Sequence, residues 1–263
     1  MILARVSKLF FVLAVCGILG CEDDDALAPP AARQSIETYY PLALNRPAFY
    51  RVDSVVLFNA VGGIVYDSTQ TEARETLVET FTGADGQQFY RGERWERRAG
   101  TNGTFRFKQT FTVAYDGERL VRSEDNLSFI KLVEPIRQGV RWDGNVAFDT
   151  RRELSVGGEF LDVYDGWDYS YTTLDTTLTL EAGQVVDEVV RIQQANVIDN
   201  LIDRRVAYEL YAPETGLIER FVDARHTQYI VCCNRDPSAG QDLSWDEKAE
   251  KGYLIHERLI RRE

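Results

Sequence analysis

Apolar and polar residues alternate with a period of two over most of the chain. The clearest example is the segment 105–115, where one face carries Phe105, Phe107, Gln109, Phe111, Val113 and Tyr115. Its other face is polar or small, and such alternation is typical of a half-buried antiparallel strand. Eight more segments with similar alternation predict strands, at 50–58, 76–82, 88–97, 167–180, 185–197, 205–211, 217–229 and 253–261.

Turn-forming residues separate these segments. They occur at 83–86, 102–103, 116–117, 157–158 and 182–183. Asn-Gly and Asp-Gly supply the positive φ that tight hairpins require, and this spacing favours long-stranded meanders over βαβ units. The pattern therefore predicts a mainly β antiparallel meander with at most one or two short helices. The best helix candidate is 245–251, with Ser244 as its N-cap.

The first twenty residues have the pattern of an export signal. Arg5 and Lys8 precede an apolar stretch, 9–19, which is too short to span a bilayer as a helix of roughly 20 residues. The stretch ends in Ile-Leu-Gly-Cys at 18–21, which resembles the bacterial lipobox. That resemblance implies cleavage before Cys21 and acylation of Cys21, and two or more acyl chains anchor a protein stably. The alternative is an ordinary secretory signal that is cut near Ala26 or Ala28.

An acidic run and a short tether follow the predicted lipidation site. The run at 22–25 is either a solvated spacer or an export tag, because it resembles the signal that sends lipoproteins to the outer face of the outer membrane in some Gram-negative bacteria. The Pro/Ala segment 26–32 is a semi-rigid tether. We therefore predict a signal peptide at 1–20, a tether at 21–33 and a single β-rich domain at 34–263. The expected location is the outer membrane, lipid-anchored, on its periplasmic or cell-surface face.

Composition and charge narrow the classes of partner. Hydrophobic residues make up 44% of the chain, which is typical of a globular domain rather than a disordered one. The formal net charge is −12, and both basic residues of the predicted signal peptide are lost on cleavage. An acidic surface repels the phosphate backbone, so we expect no nucleic-acid partner.

Three segments resemble a family of uncharacterised small envelope lipoproteins. The first is Tyr-Tyr-Pro-Leu at 39–42 followed by Val-Asp-Ser at 52–54, although Pro47 to Phe49 depart from the family's pattern. The second is Tyr-Ala-Pro-Glu-Thr-Gly-Leu-Ile at 211–218, and the third pairs 252–253 with 259–260. The resemblance implies a curved antiparallel sheet or half-barrel and an envelope location, and it implies no activity.

Catalytic and metal-binding motifs are missing from the sequence. The two histidines, His226 and His256, lie in predicted strands without a second His or Cys at zinc-ligand spacing. No G-x-S-x-G elbow surrounds any serine, and no phosphate-binding loop occurs. A Ser-His-Asp triad assembled from distant residues remains open. We expect no metal and no cofactor.

Two features of the sequence are nevertheless candidates for a chemical role. Five acids near Trp142 and Trp167 are candidates for a sugar cleft or for solvated loops, namely Asp143, Asp149, Asp162, Asp165 and Asp168. The adjacent pair Cys232–Cys233 is a candidate vicinal disulfide, because export places it in an oxidising compartment. The pair could instead hold free thiols, a redox function or a metal contact.

The leading hypothesis is a non-catalytic binding or interaction domain for an envelope protein, a glycan or a lipid. An apolar-ligand version predicts a cavity lined by Phe105, Phe107, Phe111, Tyr169 and Tyr171. The alternative is a surface hydrolase that acts on glycan through loop carboxylates. A structural component of an envelope assembly would instead expose an apolar patch of several hundred Å².

Overall fold

The structure is a computed structural model that describes residues 35–198 and 200–263. Within these ranges the chain forms fourteen strands and four one-turn helices. The strands are β1 (Ala48–Ala60), β2 (Gly63–Thr82), β3 (Gln88–Arg98), β4 (Arg106–Tyr115), β5 (Arg119–Glu124), β6 (Leu127–Val133), β7 (Arg141–Trp142), β8 (Leu154–Val156), β9 (Glu159–Leu161), β10 (Tyr169–Thr179), β11 (Val185–Val197), β12 (Asp203–Ala212), β13 (Gly216–His226) and β14 (Lys251–Arg262). The helices are α1 (Ile36–Tyr39), α2 (Ile230–Cys233), α3 (Pro237–Gly240) and α4 (Trp245–Lys248).

Twelve of the strands form one antiparallel sheet in the order β6-β5-β4-β3-β2-β1-β14-β13-β12-β11-β10-β7. Strands β1 to β6 follow one another as consecutive hairpins on one side, and β10 to β13 do so on the other. The last strand, β14, pairs with both β1 and β13 and therefore joins the two halves. The sheet is nearly closed and barrel-like, and the hairpin β8–β9 forms a separate two-stranded sheet.

Side-chain and loop contacts, rather than a strand ladder, bring the two edges of the sheet together. The backbone N–H of Ile130 on β6 donates to the carbonyl of Gly144 at 2.8 Å. The indole of Trp142 on β7 donates to the carbonyl of Ile130, also at 2.8 Å. A side chain at Gly144 would overlap the ring of Tyr169, so the close packing of Tyr169 against residue 144 requires glycine.

The mainly β prediction is confirmed. All nine predicted strand segments fall on observed strands, and the corner before Leu217 has Gly216 at φ 86°. The helix predicted at 245–251 is α4, with Ser244 and Glu247 forming a capping box. The other three one-turn helices were not expected.

One predicted strand face is broken by a bulge. In the β3–β4 pairing, Arg94 lies opposite Gln109 and Trp95 opposite Phe107, so Lys108 is an extra residue. Phe111 is buried, whereas Phe107 is 53% exposed. The single face predicted to run from Phe105 to Tyr115 is therefore wrong, because the bulge shifts the alternation by one residue.

The concavity of the sheet is filled from both ends. At the end near α1, buried side chains form what we call the apolar layer, made up of Ile36, Tyr39, Tyr50, Leu77, Leu120, Leu132, Tyr171, Tyr211 and Leu259. At the other end, residues 143–168, which we call the plug, place Leu161 and Val163 against Ala207 and Val222. The plug belongs to the connection between β6 and β10, and so covers the inner face of the opposite half-sheet.

Candidate functional site

Eight charged side chains meet inside the sheet and form what we call the ionic layer. They are Glu75, Arg94, Arg122, Glu124, Lys131, Glu209, Arg220 and Glu257. Arg94 lies 2.7 Å from Glu257 although two strands separate β3 from β14 in the sheet. Contacts between strands that are not neighbours cross the concavity, so these side chains point inward. These four acids and four bases sum to a formal charge of zero, and the partly exposed Glu96 contacts Arg94 at the border of the layer at 2.8 Å.

Glu209 has more side-chain partners than any other acid of the ionic layer. Nζ of Lys131 and Nε of Arg220 each lie 2.8 Å from its Oε1, and the hydroxyl of Tyr211 donates to its Oε2 at 2.7 Å. Burial alone raises the pKa of Glu209, but the charges of Lys131 and Arg220 outweigh it and hold the pKa at about 2. The carboxylate is therefore ionised at neutral pH.

Arg122 and Glu75 form a second centre. Two guanidinium nitrogens of Arg122 donate to the two carboxylate oxygens of Glu75, both at 2.8 Å. The guanidinium also lies 3.8 Å from the ring centroid of Phe111. Burial raises the pKa of Glu75, but Arg122 and Arg94 outweigh it and hold the pKa well below its ordinary value. This bidentate geometry fixes the layer rigidly.

The buried charge of Lys131 is less well compensated than that of its partner, Glu209. Among the described residues, Glu209 is the one hydrogen-bond acceptor for the ammonium, which carries three donors. Burial lowers the pKa of Lys131, and the charge of Glu209 offsets only part of that effect. The pKa values of both partners are thus lowered, because Glu209 has two cations and a hydroxyl whereas Lys131 has a single acceptor.

A cavity of about 130 Å³ lies between the ionic layer and the plug. Its charged wall is formed by Glu124, Lys131, Glu209 and Arg220. Its aromatic wall is formed by Phe129, Tyr164, Trp167 and Tyr253. Because these residues come from five strands and the plug, the cavity is set into the interior of the sheet.

The side chain of Gln194 on β11 also lines this cavity. The residue is 1% exposed, and its Nε2 has no hydrogen-bond partner among the described residues. Buried polar groups in folded proteins are nearly always paired, so the unpaired amide nitrogen of a residue that lines a cavity is a candidate donor to a ligand or water.

Two larger depressions in the described part of the chain are less enclosed. One, of about 490 Å³, is lined by Phe107, Phe111 and polar residues of β4, β5 and the turn after β5. The other, of about 500 Å³, is lined by residues of β2 and β3 and the loop after β3. The residues lining the second depression are almost all polar. Neither combines converging charges with an aromatic wall as the interior cavity does.

Comparisons with known proteins give a fold likeness only. No protein-family model matches the chain, and no curated protein sequence matches it. A proposed lipoprotein from Parabacteroides distasonis superposes with a TM-score of 0.36 at 10% identity, covering 88% of this chain and all of that one. A proposed exported protein with a YmcC-like fold from Bacteroides fragilis gives 0.35 at 10%, covering 86% of this chain and 99% of that one. Likeness this weak carries no functional argument, so the resemblance to envelope lipoproteins stays a prediction.

The predicted lipidation site lies outside the described residues, as do the predicted signal peptide and tether. The structure joins the sulfur atoms of Cys232 and Cys233 in α2 as a disulfide. This helix is held by Glu250, whose carboxylate accepts from the backbone N–H groups of Gln228 and Val231, both at 2.8 Å. The disulfide thus lies in a braced connection between β13 and β14.

The two histidines are engaged in pairs with acids. Nδ1 of His226 lies 2.8 Å from Asp203, and Nε2 of His256 lies 2.9 Å from Glu219. In the described ranges neither ring contacts a serine hydroxyl, and no group of three metal-ligating side chains occurs. None of the helices in the described part of the chain is long and apolar enough to cross a membrane.

The five loop acids do not converge on the interior cavity. The carboxylates of Asp143 and Asp149 accept from backbone N–H groups two residues later, and Asp168 pairs with Arg141. None of the five lines the cavity. The apolar cavity predicted from Phe105, Phe107, Phe111, Tyr169 and Tyr171 is also not formed, because Tyr169 and Tyr171 are packed in the core and Phe107 faces solvent.

The ionic layer was missed although the sequence contains a signal for it. Charged residues interrupt the apolar face of several strands, such as Glu209 between Ala207 and Tyr211, or Arg220 between Ile218 and Val222. A charge on the buried face of a strand requires a partner, since unpaired charges are rarely buried. This interruption is therefore a readable sign of an interior ion pair.

Proposed function

We propose that this protein is a lipid-anchored envelope lipoprotein, tethered through Cys21 at the outer membrane, whose folded domain binds a small polar ligand without transforming it. The observation that carries the binding function is the interior cavity, which has a charged wall and an aromatic wall and is also lined by Gln194, whose buried amide nitrogen is unpaired. Small-molecule sites commonly combine an apolar or aromatic lining with a few convergent polar groups.

The pKa values in the cavity favour binding over hydrolysis. A glycosidase requires one carboxylic acid that is protonated at working pH, which means a raised pKa. Both carboxylates at the cavity have lowered pKa values. Burial raises the pKa of Glu124, but Arg122 and Arg220 outweigh it, and Glu209 is held at about 2. Neither carboxylate therefore has the raised pKa that a glycosidase acid requires.

The anchor is tested by labelling cells with a fatty-acid analogue. Wild-type protein should take up the label and partition into membranes, and Cys21→Ser should do neither. Cys16→Ser is the matched control, because it removes a thiol from the apolar stretch without touching the lipobox cysteine. Unlabelled wild-type protein, or labelled Cys21→Ser, would refute the anchor.

Binding is tested by thermal shift of the full-length chain against neutral, anionic and cationic molecules of up to about twelve heavy atoms. At least one should raise the midpoint, as a ligand of the folded state must. Val222→Phe fills the cavity from β13 and should abolish that shift, whereas Val206→Phe, an outward position on β12, should preserve it. A shift that persists in folded Val222→Phe places the ligand elsewhere, and a panel without any shift refutes the binding function.

A further inference from the structure

We propose that the interior cavity is a site for one neutral, hydroxyl-bearing six-membered ring, that is, a single sugar residue or a cyclic polyol. This inference rests on the binding function proposed above and adds the chemical class of the ligand. Size, aromatic faces, donor supply and charge balance each restrict the occupant independently.

Size limits the occupant to one ring. The cavity measures about 130 Å³. An engineered protein cavity of about 150 Å³ takes up benzene, so a space of this size holds one six-membered ring within its walls. The same space would hold about four waters at roughly 30 Å³ each, which is the competing occupancy.

The aromatic wall suits the apolar face of a ring. Trp167 is fixed by its indole N–H, which donates to the carbonyl of Val163 at 2.8 Å. Its ring packs edge-on against Tyr164, with centroids 5.0 Å apart. Flat, rigid rings of this kind provide contact area at little cost in conformational entropy. The plug thus presents an immobile aromatic surface to the cavity.

The opposite wall supplies hydrogen-bond donors. Nε2 of Gln194 has no partner, and Glu209 accepts one of the three N–H groups of the Lys131 ammonium, whose Nζ also lies 5.0 Å from the centroid of the Phe129 ring. An apolar ring would leave these buried donors unpaired, at the full desolvation cost of each. The occupant must therefore carry oxygen acceptors, which hydroxyl groups provide.

Charge balance selects a neutral occupant. The ionic layer is neutral as a whole, and Glu209 already binds both Lys131 and Arg220. An anionic ligand would compete with Glu209 for the same cations, and a cationic one would bring an uncompensated charge into the interior. Hydroxyl groups donate and accept without changing this balance.

The test uses the full-length chain in a polyoxyethylene-ether detergent, because alkyl-glycoside detergents would add sugar headgroups. Glucose, galactose, mannose and myo-inositol are titrated while the ¹⁵N-indole signals of the tryptophans are followed. At least one ring should shift the Trp167 signal with a dissociation constant of about 1 mM or tighter, leaving the signals of Trp95 and Trp245 unchanged.

Gln194→Leu removes the unpaired donor. Binding of the ring should weaken by about tenfold or more, while the thermal midpoint without ligand should not fall, because a buried orphan amide is lost. Gln193→Leu, the neighbouring position on the opposite face of β11, is the matched control and should bind as wild type. Unchanged ring binding in Gln194→Leu would overturn the assigned site.

Charged and apolar probes separate the two proposals. If benzoate shifts the Trp167 signal and no hydroxyl-bearing ring does, the ligand class is overturned while the binding function stands. If toluene alone shifts it, both proposals are overturned, because each requires a polar ligand. If no probe of any class shifts this signal, the cavity holds water only and both proposals fail.

Discussion

The apolar layer and the ionic layer are built on the same strands, yet they fill the interior in opposite ways. On β12, Tyr211 faces the apolar layer and Glu209, two residues earlier, lies in the ionic layer. The apolar layer stabilises the fold in proportion to the apolar area removed from water, and this effect does not depend on the orientation of the contacting groups. The ionic layer gains little net stability, because desolvation offsets the attraction, but its contacts permit few alternative arrangements. The apolar layer therefore stabilises the fold, and the ionic layer holds a defined polar wall beside a cavity.

The largest effect is expected from breaking the ionic layer at its most contacted acid. Glu209→Gln leaves Lys131 without its ion-pair partner and takes from Arg220 the nearest of its three acids, and it should lower the free energy of unfolding by about 3–5 kcal/mol. Urea denaturation measures this change. Adding Lys131→Met to the same chain removes one uncompensated charge and should recover about 1 kcal/mol or more. A loss below about 1 kcal/mol in the single variant would show that the layer is solvated.

A comparable deletion in the apolar layer tests the other half of the comparison. Leu132 is fully buried, and Leu132→Ala should cost about 2–5 kcal/mol through lost contacts and a residual cavity. No charge is affected, so the cost should be the same at pH 7 and pH 4. A cost that changes with pH would mean that the two layers are coupled.

The pH dependence of stability should arise in the ionic layer. The folded-state pKa of Glu209, about 2, lies below its ordinary value of 4.5. The resulting stabilisation is complete above 4.5 and is lost as pH falls towards 2. We expect a loss on the order of 1–3 kcal/mol over this interval, a shallower slope in Glu209→Gln, and a wild-type slope in Leu132→Ala. Equal slopes in wild type and Glu209→Gln would contradict the assignment.

The smallest effect is expected from the cysteine pair, which belongs to neither layer. A bond between adjacent residues closes almost no loop and restricts the unfolded chain very little. Reduction should add two hydrogens to the intact mass and change the free energy of unfolding by less than about 1 kcal/mol. An unchanged mass, with thiols that alkylate in the native protein, would show that the two cysteines are not bonded.

The strands were predictable because their alternation is local. The segment predicted at 185–197 coincides with β11. Strand β5 was missed because Arg122 and Glu124 occupy its buried face and remove the apolar signal. The closure of the sheet was not predictable either, since it depends on loop contacts such as that of Ile130 with Gly144.

The candidate site was predictable only in part. A charged residue such as Glu257 between Ile255 and Leu259 indicates a buried ion, but it does not identify the partner of that ion. Arg94, which lies 163 residues away, becomes that partner only after the sheet curls. The cavity is harder still to foresee, because it depends on how far the plug enters between strands that are distant in sequence.

The position of β14 has a consequence for the order of assembly. Among the described strands β14 comes last in chain order, yet it occupies the middle of the sheet and is the element that unites β1 with β13. The hairpins on either side can form early, but they remain two separate half-structures until residues 251–262 arrive. Chain order therefore delays completion of the sheet until all of the strands before β14 have been made.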